Sequence, residues 1–70
     1  MPSDIRFSEI KQLLTKNGWS LARTSGSHHI FTGPDRPLIS IPVHKGKAKD
    51  VYRRQVEKAI REQEARDQEQ

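Results

Sequence analysis

The sequence predicts an α+β fold in the order α-β-β-β-α, a three-stranded antiparallel sheet with two helices on one face. Three observations carry this. Phe7, Ile10, Leu13 and Leu14 recur at helical spacing near the start of the chain. Three short segments rich in aliphatic and aromatic residues follow, and the turns between them are so short that neighbouring strands must run antiparallel. A second helical pattern then closes the chain through Tyr52, Val56, Ala59, Ile60 and Gln63. Two amphipathic helices cover one face of such a sheet and leave the other open.

The first helix spans roughly residues 7–16. Ser8 is a candidate N-cap, Asp4 would start the helix a turn earlier, and Asn17-Gly18 is a strong stop because both residues tolerate the left-handed conformation. Trp19–Arg23 alternates as a half-buried strand does, and Ser25-Gly26-Ser27 breaks it. His28–Thr32 is the second strand, ended by the turn residues Gly33-Pro34-Asp35-Arg36-Pro37. Leu38–Val43 is the third, with Ile39, Ile41 and Val43 on one face, and Pro42 places it at an edge or ends it there, because proline has no N–H for a ladder. Residues 45–49 read as a basic loop, and the second helix runs to about residue 66. The whole of residues 1–70 reads as one domain, with a polar extension from about residue 62. Double-stranded-RNA-binding domains share this order of elements, an analogy of fold and not of activity.

Composition narrows the function. Only 31% of the 70 residues are hydrophobic, so the core is small, and the absence of cysteine removes disulfides and thiolate metal sites. The first 30 residues lack an apolar h-region, and no apolar run approaches the ~20 residues that span a bilayer; the expectation is a soluble, cytoplasmic protein without membrane contact. The net charge is +4. Residues 1–54 carry ten Lys/Arg against four Asp/Glu, and the rest carry three against five. The basic charge thus belongs to the fold, concentrated at Lys45, Lys47, Lys49, Arg53 and Arg54. Such a cluster suits a polyanion, nucleic acid above all, although a merely solvated surface accounts for charge alone equally well.

The pair His28-His29 poses the question of chemistry. Neighbours in a strand point to opposite faces. Phe31 is the best core anchor of the second strand, so His29 shares the core face and His28 the open one, with Ile30. In the third strand the core face of Ile39, Ile41 and Val43 sends Ser40, Pro42 and His44 outward. A histidine on an open face beside a basic patch suits RNA cleavage. Its ordinary pKa of ~6.5 allows general-base action near neutrality, the substrate brings its own nucleophile in the ribose 2′-OH, and Lys or Arg stabilises the charge developing on phosphorus. On the residues alone the plainer reading, a polar histidine closing a turn, is favoured. Other chemistries are weaker still. His28, His29 and His44 diverge too much for a metal set, Ser27-His28 has no orienting acid, and no glycine-rich phosphate cradle is present. Phe7, Trp19 and Phe31 read as core, and Tyr52 alone is ambiguous as a base-stacking platform.

Three segments in order, Leu13–Trp19, Gly26–Phe31 and Ile41–His44 with Gly46-Lys47, resemble the HicA toxins of bacterial HicA–HicB toxin–antitoxin modules, across most of residues 8–61. The resemblance implies the fold inferred above and an mRNA interferase that cleaves RNA without a metal or other cofactor. It implies that the histidine after Gly-Ser, here His28, is catalytic, which reverses the preference stated above. Gly26 and Ser27 then set its approach to the RNA backbone, and His44 matches a histidine frequent in the family and takes a secondary role. Many members open the last helix with Pro-Gly-Thr-Leu. This chain has Lys47-Ala48-Lys49-Asp50-Val51-Tyr52 there, so no contact is carried over, and Lys45, Lys47, Lys49, Arg53 and Arg54 are the expected phosphate contacts. The implied partners are RNA and a HicB-like antitoxin. The rival readings are an RNA-binding module without catalysis and a pure interaction domain.

Overall fold

The computed structural model describes residues 4–68. Its elements run β1 (Asp4–Arg6), α1 (Phe7–Lys16), β2 (Ser20–Ser25), β3 (His28–Gly33), β4 (Arg36–Pro42), β5 (Lys47–Lys49) and α2 (Asp50–Gln68). The main sheet is antiparallel in the order β2-β3-β4, and β1 and β5 form a separate two-stranded ribbon. The α-β-β-β-α frame is therefore as the sequence predicts.

One face of the main sheet is the core. Phe31 of β3 and Ile41 of β4 pack with Ile10 and Leu14 of α1 and with Val56 and Ile60 of α2, and all six are buried. The register sets Phe31 opposite Ile39 and His29 opposite Ile41 on this face. The opposite face pairs Ser25 with His28, Arg23 with Ile30 and Ile30 with Ser40, and Leu38 there is 60% exposed. A register shift between Leu21 and Arg23 bulges β2 at Ala22 and leaves the alternation of β3 intact.

The ends of α1 depart from expectation at one side only. Neither Ser8 nor Asp4 caps it. Arg6 stands at the N-cap without a side-chain bond, and the first helical amide, that of Phe7, donates instead to Gly46 O at 2.9 Å. The C-terminal stop is the expected one: Asn17 donates through its amide to Leu14 O at 3.0 Å and through Nδ2 to Leu13 O at 2.7 Å, and Gly18 turns away with φ of +97°. Trp19 then donates its own amide to Leu14 O at 3.0 Å. Its backbone thus belongs to the helix end, and β2 begins one residue later than the sequence suggests.

Two further differences lie in the segment expected as a loop. Lys47-Ala48-Lys49 is a strand, because Ala48 is buried between two exposed lysines and pairs with Ile5, while Arg6 faces Lys47 and Asp4 faces Lys49. α2 starts directly after it, with Asp50 in its first turn, where a carboxylate suits the helix dipole. At the far end Gln63 is still buried and residues 64–68 are helical and exposed.

Candidate nucleic-acid interface and active site

The turn before β3 presents the first candidate. Ser25 pairs with His28, which leaves Gly26 and Ser27 as a two-residue loop. Gly26 adopts φ of +60°, the conformation that a hairpin with glycine in the first loop position requires. Ser27 O accepts the amide of Val43 at 2.7 Å, which ties the turn to the end of β4. His28 follows immediately on the central strand, exposed, with Ser25 on one side and Pro42 on the other. His29 points the other way and is half-buried. Its ring lies 4.4 Å from that of Phe7, and its Nδ1 is 3.4 Å from Ser27 O.

The second candidate is the turn between β4 and β5, closed by the isolated bridge of His44 and Lys47. His44 and Lys47 exchange two backbone hydrogen bonds of 2.9 Å around Lys45 and Gly46, whose φ values are +54° and +75°. Positive φ at both central residues marks a type I′ turn. Lysine at the first of them is held in a region that normally disfavours a Cβ-bearing residue. The amide of Phe7 bonded to Gly46 O anchors this turn to α1.

Pro42, the cross-strand neighbour of His28, also lines a cleft of about 270 Å³. The same cleft is bounded by Asp4, His44, Lys47, Lys49 and Tyr52, with buried Ala48 among its walls. The structure therefore brings His44 and two of the expected lysines together in one groove, with His28 outside its lining, one strand away across Pro42. Tyr52, ambiguous in the sequence, is half-buried and part of that wall.

The two arginines stand apart from this cleft. Arg54 Nε lies 3.4 Å from Asp50 Oδ2, and Arg53 Nε lies 3.6 Å from Glu57 Oε2. Both pairs are well exposed and contribute little to stability. Arg53 lines a different groove, about 240 Å³ between the helices, with Glu9, Leu13, Lys16 and Glu57 among its walls. Two residues of the ribbon strand β1 escaped the sequence reading. Arg6 faces Lys47 across the ribbon and adds to the positive surface, and Asp4 faces Lys49 and places a carboxylate in the cleft. The alternation Asp-Ile-Arg around one apolar residue was the only signal for them.

Among the described residues no three His, Asp or Glu side chains are grouped so as to hold a metal ion, and no helix is long and apolar enough to cross a membrane. A family model described as HicA toxin of bacterial toxin-antitoxin matches residues 7–64. No curated protein and no solved structure matches the chain significantly.

Proposed function

The chain belongs to the HicA toxin family of bacterial toxin–antitoxin systems, and on that premise we propose that it is an mRNA-cleaving endoribonuclease with His28 as its general base. The observation that carries the reading is the exposed His28, held directly after the Gly26-Ser27 turn and paired across strands with Pro42, which itself lines the cleft of Lys47 and Lys49. In the proposed step the imidazole of His28 takes the proton of a ribose 2′-OH. The 2′ oxygen attacks the adjacent phosphorus, and the bond from phosphorus to the 5′ oxygen breaks. The departing 5′ oxygen receives a proton from a general acid, and a 2′,3′-cyclic phosphate and a 5′-OH remain. The reaction uses the substrate's own nucleophile and needs no metal or other cofactor. Lys45, Lys47 and Lys49 hold the flanking phosphates and offset the charge that develops on the transferred group. Gly26 and Ser27 let the RNA backbone approach, and His44, Arg53 and Arg54 add further contacts. The catalytic unit is a single domain over residues 1–70, with the polar stretch from about residue 62 as an extension. It acts in the cytoplasm and is neutralised by a HicB-like antitoxin.

The test is cleavage of a labelled RNA by purified protein, with the ends of the products identified. We expect cyclic phosphate ends, activity unaffected by EDTA, and a loss of about 10²–10⁴-fold in His28→Ala with unchanged circular dichroism. Wild-type protein that binds RNA and leaves it intact would make the chain a binding module.

A further inference from the structure

The cleft beside Pro42 has more in it than phosphate binding requires. Phosphates need cations, and Lys47 and Lys49 supply them. They have no use for a carboxylate, yet Asp4 lines the same cleft. Nor do they need an aromatic ring, yet Tyr52 forms part of the wall. The volume of about 270 Å³ lies just under the roughly 300–1,000 Å³ of pockets that enclose drug-sized ligands. That is a size for one nucleobase.

We propose that this cleft is the specificity pocket of the nuclease and accepts a single unstacked guanine next to the cleaved phosphate. The proposal rests on the nuclease reading for its ligand class. Single-stranded RNA is read by proteins through bases that stack on aromatic rings and bond along their edges, and Tyr52 is the ring available. An ionised carboxylate only accepts hydrogen bonds. Guanine alone among the four bases presents two adjacent donors on one edge, N1–H and the N2 amino group, and so matches the two oxygens of Asp4. Its other edge presents O6 and N7, acceptors suited to a lysine ammonium, and Lys47 and Lys49 share the cleft with Asp4. Adenine and cytosine offer a single donor group, and uracil a single ring N–H. The pairing of Asp4 with Lys49 across the ribbon fixes the backbone of Asp4 beside the cleft. His28 is the cross-strand partner of Pro42, which lines the pocket.

The test is equilibrium binding of the full chain to 2′-fluoro oligouridines carrying one central guanine, adenine, cytosine or uracil. These lack the 2′-OH nucleophile, so binding is read without cleavage. The guanine oligomer should bind about tenfold tighter than the others, within the discrimination of one bidentate base contact. Asp4→Asn, an exposed isostere, should bring guanine down to the level of adenine. Tyr52→Leu should weaken the guanine oligomer about tenfold through lost stacking. Equal affinity for all four oligomers, or a guanine preference that survives Asp4→Asn, overturns the pocket. Cleavage of unmodified RNA by the same protein would then leave the nuclease reading standing. Failure to bind any oligomer, joined to failure to cleave, removes both.

Discussion

His28 and His29 are adjacent in the chain and opposite in environment. One is exposed on the open face, and the other sits half-buried against Phe7 on the core face. The effects of changing them should separate accordingly. His29→Ala removes an aromatic contact and part of a buried surface, which costs about 1–2 kcal/mol. In a domain of this size each kcal/mol is worth roughly 4–8 °C. The melting temperature should fall by about 4–16 °C while cleavage below the transition persists. If His29→Ala instead abolished cleavage in a protein that melts normally, the assignment of the base to His28 would be lost. This contrast was legible in the sequence, because alternation along β3 needs only Phe31 as a reference. The cleft beyond Pro42 was not. Asp4 reaches it through pairing with a residue more than forty positions away, and Tyr52 reaches it through the start of α2.

At the scale of elements the same divide holds. α1 was readable to its last residue, because Phe7, Ile10, Leu13 and Leu14 repeat a local period and Asn17-Gly18 ends it. β1 and β5 were not readable. Each has one apolar residue between two polar ones, Ile5 and Ala48, and three residues are too few for a period of two to declare itself. The turn between β4 and β5 shows a second departure from local rules. Lys45 holds φ of +54°, a conformation that costs a residue with a Cβ roughly 1–2 kcal/mol. Asparagine tolerates it better and is the usual residue before glycine in such turns. Lys45→Asn should therefore stabilise the fold by about 0.5–1 kcal/mol. If Lys45 contacts a phosphate, the same change should flatten the log–log salt dependence of RNA binding by about 0.7. A stabilised protein with an unchanged salt slope would show that the lysine is kept there for some reason other than RNA.

The whole molecule rests on a small core. Ile10, Leu14, Trp19, Phe31, Ile41 and Val56 carry most of it. Arg36 reinforces the end near Trp19: its guanidinium lies 5.3 Å from the ring centre, and Nε donates to Asn17 O at 2.9 Å. A chain of 70 residues buries too little surface for a wide margin of stability. An antitoxin that binds only the folded toxin adds stability by mass action, about 2.7 kcal/mol at a hundred times its Kd. A purified complex should thus melt about 10–20 °C above the free toxin. Hydrogen exchange should slow at Ser27–Ile30 and over the Lys45–Arg54 patch if the antitoxin covers the cleft. Protection confined to α2 beyond Ile60 would mean inhibition from a distance.

The β1–β5 ribbon also sets an order of events. Hairpins β2–β3 and β3–β4 are closed by two-residue loops, whereas the ribbon joins Asp4 to Lys49. Closing the longer loop costs more chain entropy, by about 0.6 kcal/mol for each doubling of length. The meander should therefore form early in folding and the ribbon late. Ala48→Gly should then raise the unfolding rate and leave the folding rate nearly unchanged, whereas Ile41→Val should slow folding measurably; the reverse pattern would refute this order. On the ribosome the consequence is one of timing. The strand Asp4–Arg6 is made first and its partner Lys47–Lys49 only some forty residues later, so the ribbon that completes the cleft cannot close until most of the chain has been made. Under the proposed mechanism, toxicity begins with the closing of the ribbon, late in the making of each molecule, which leaves an interval for capture by an antitoxin already present.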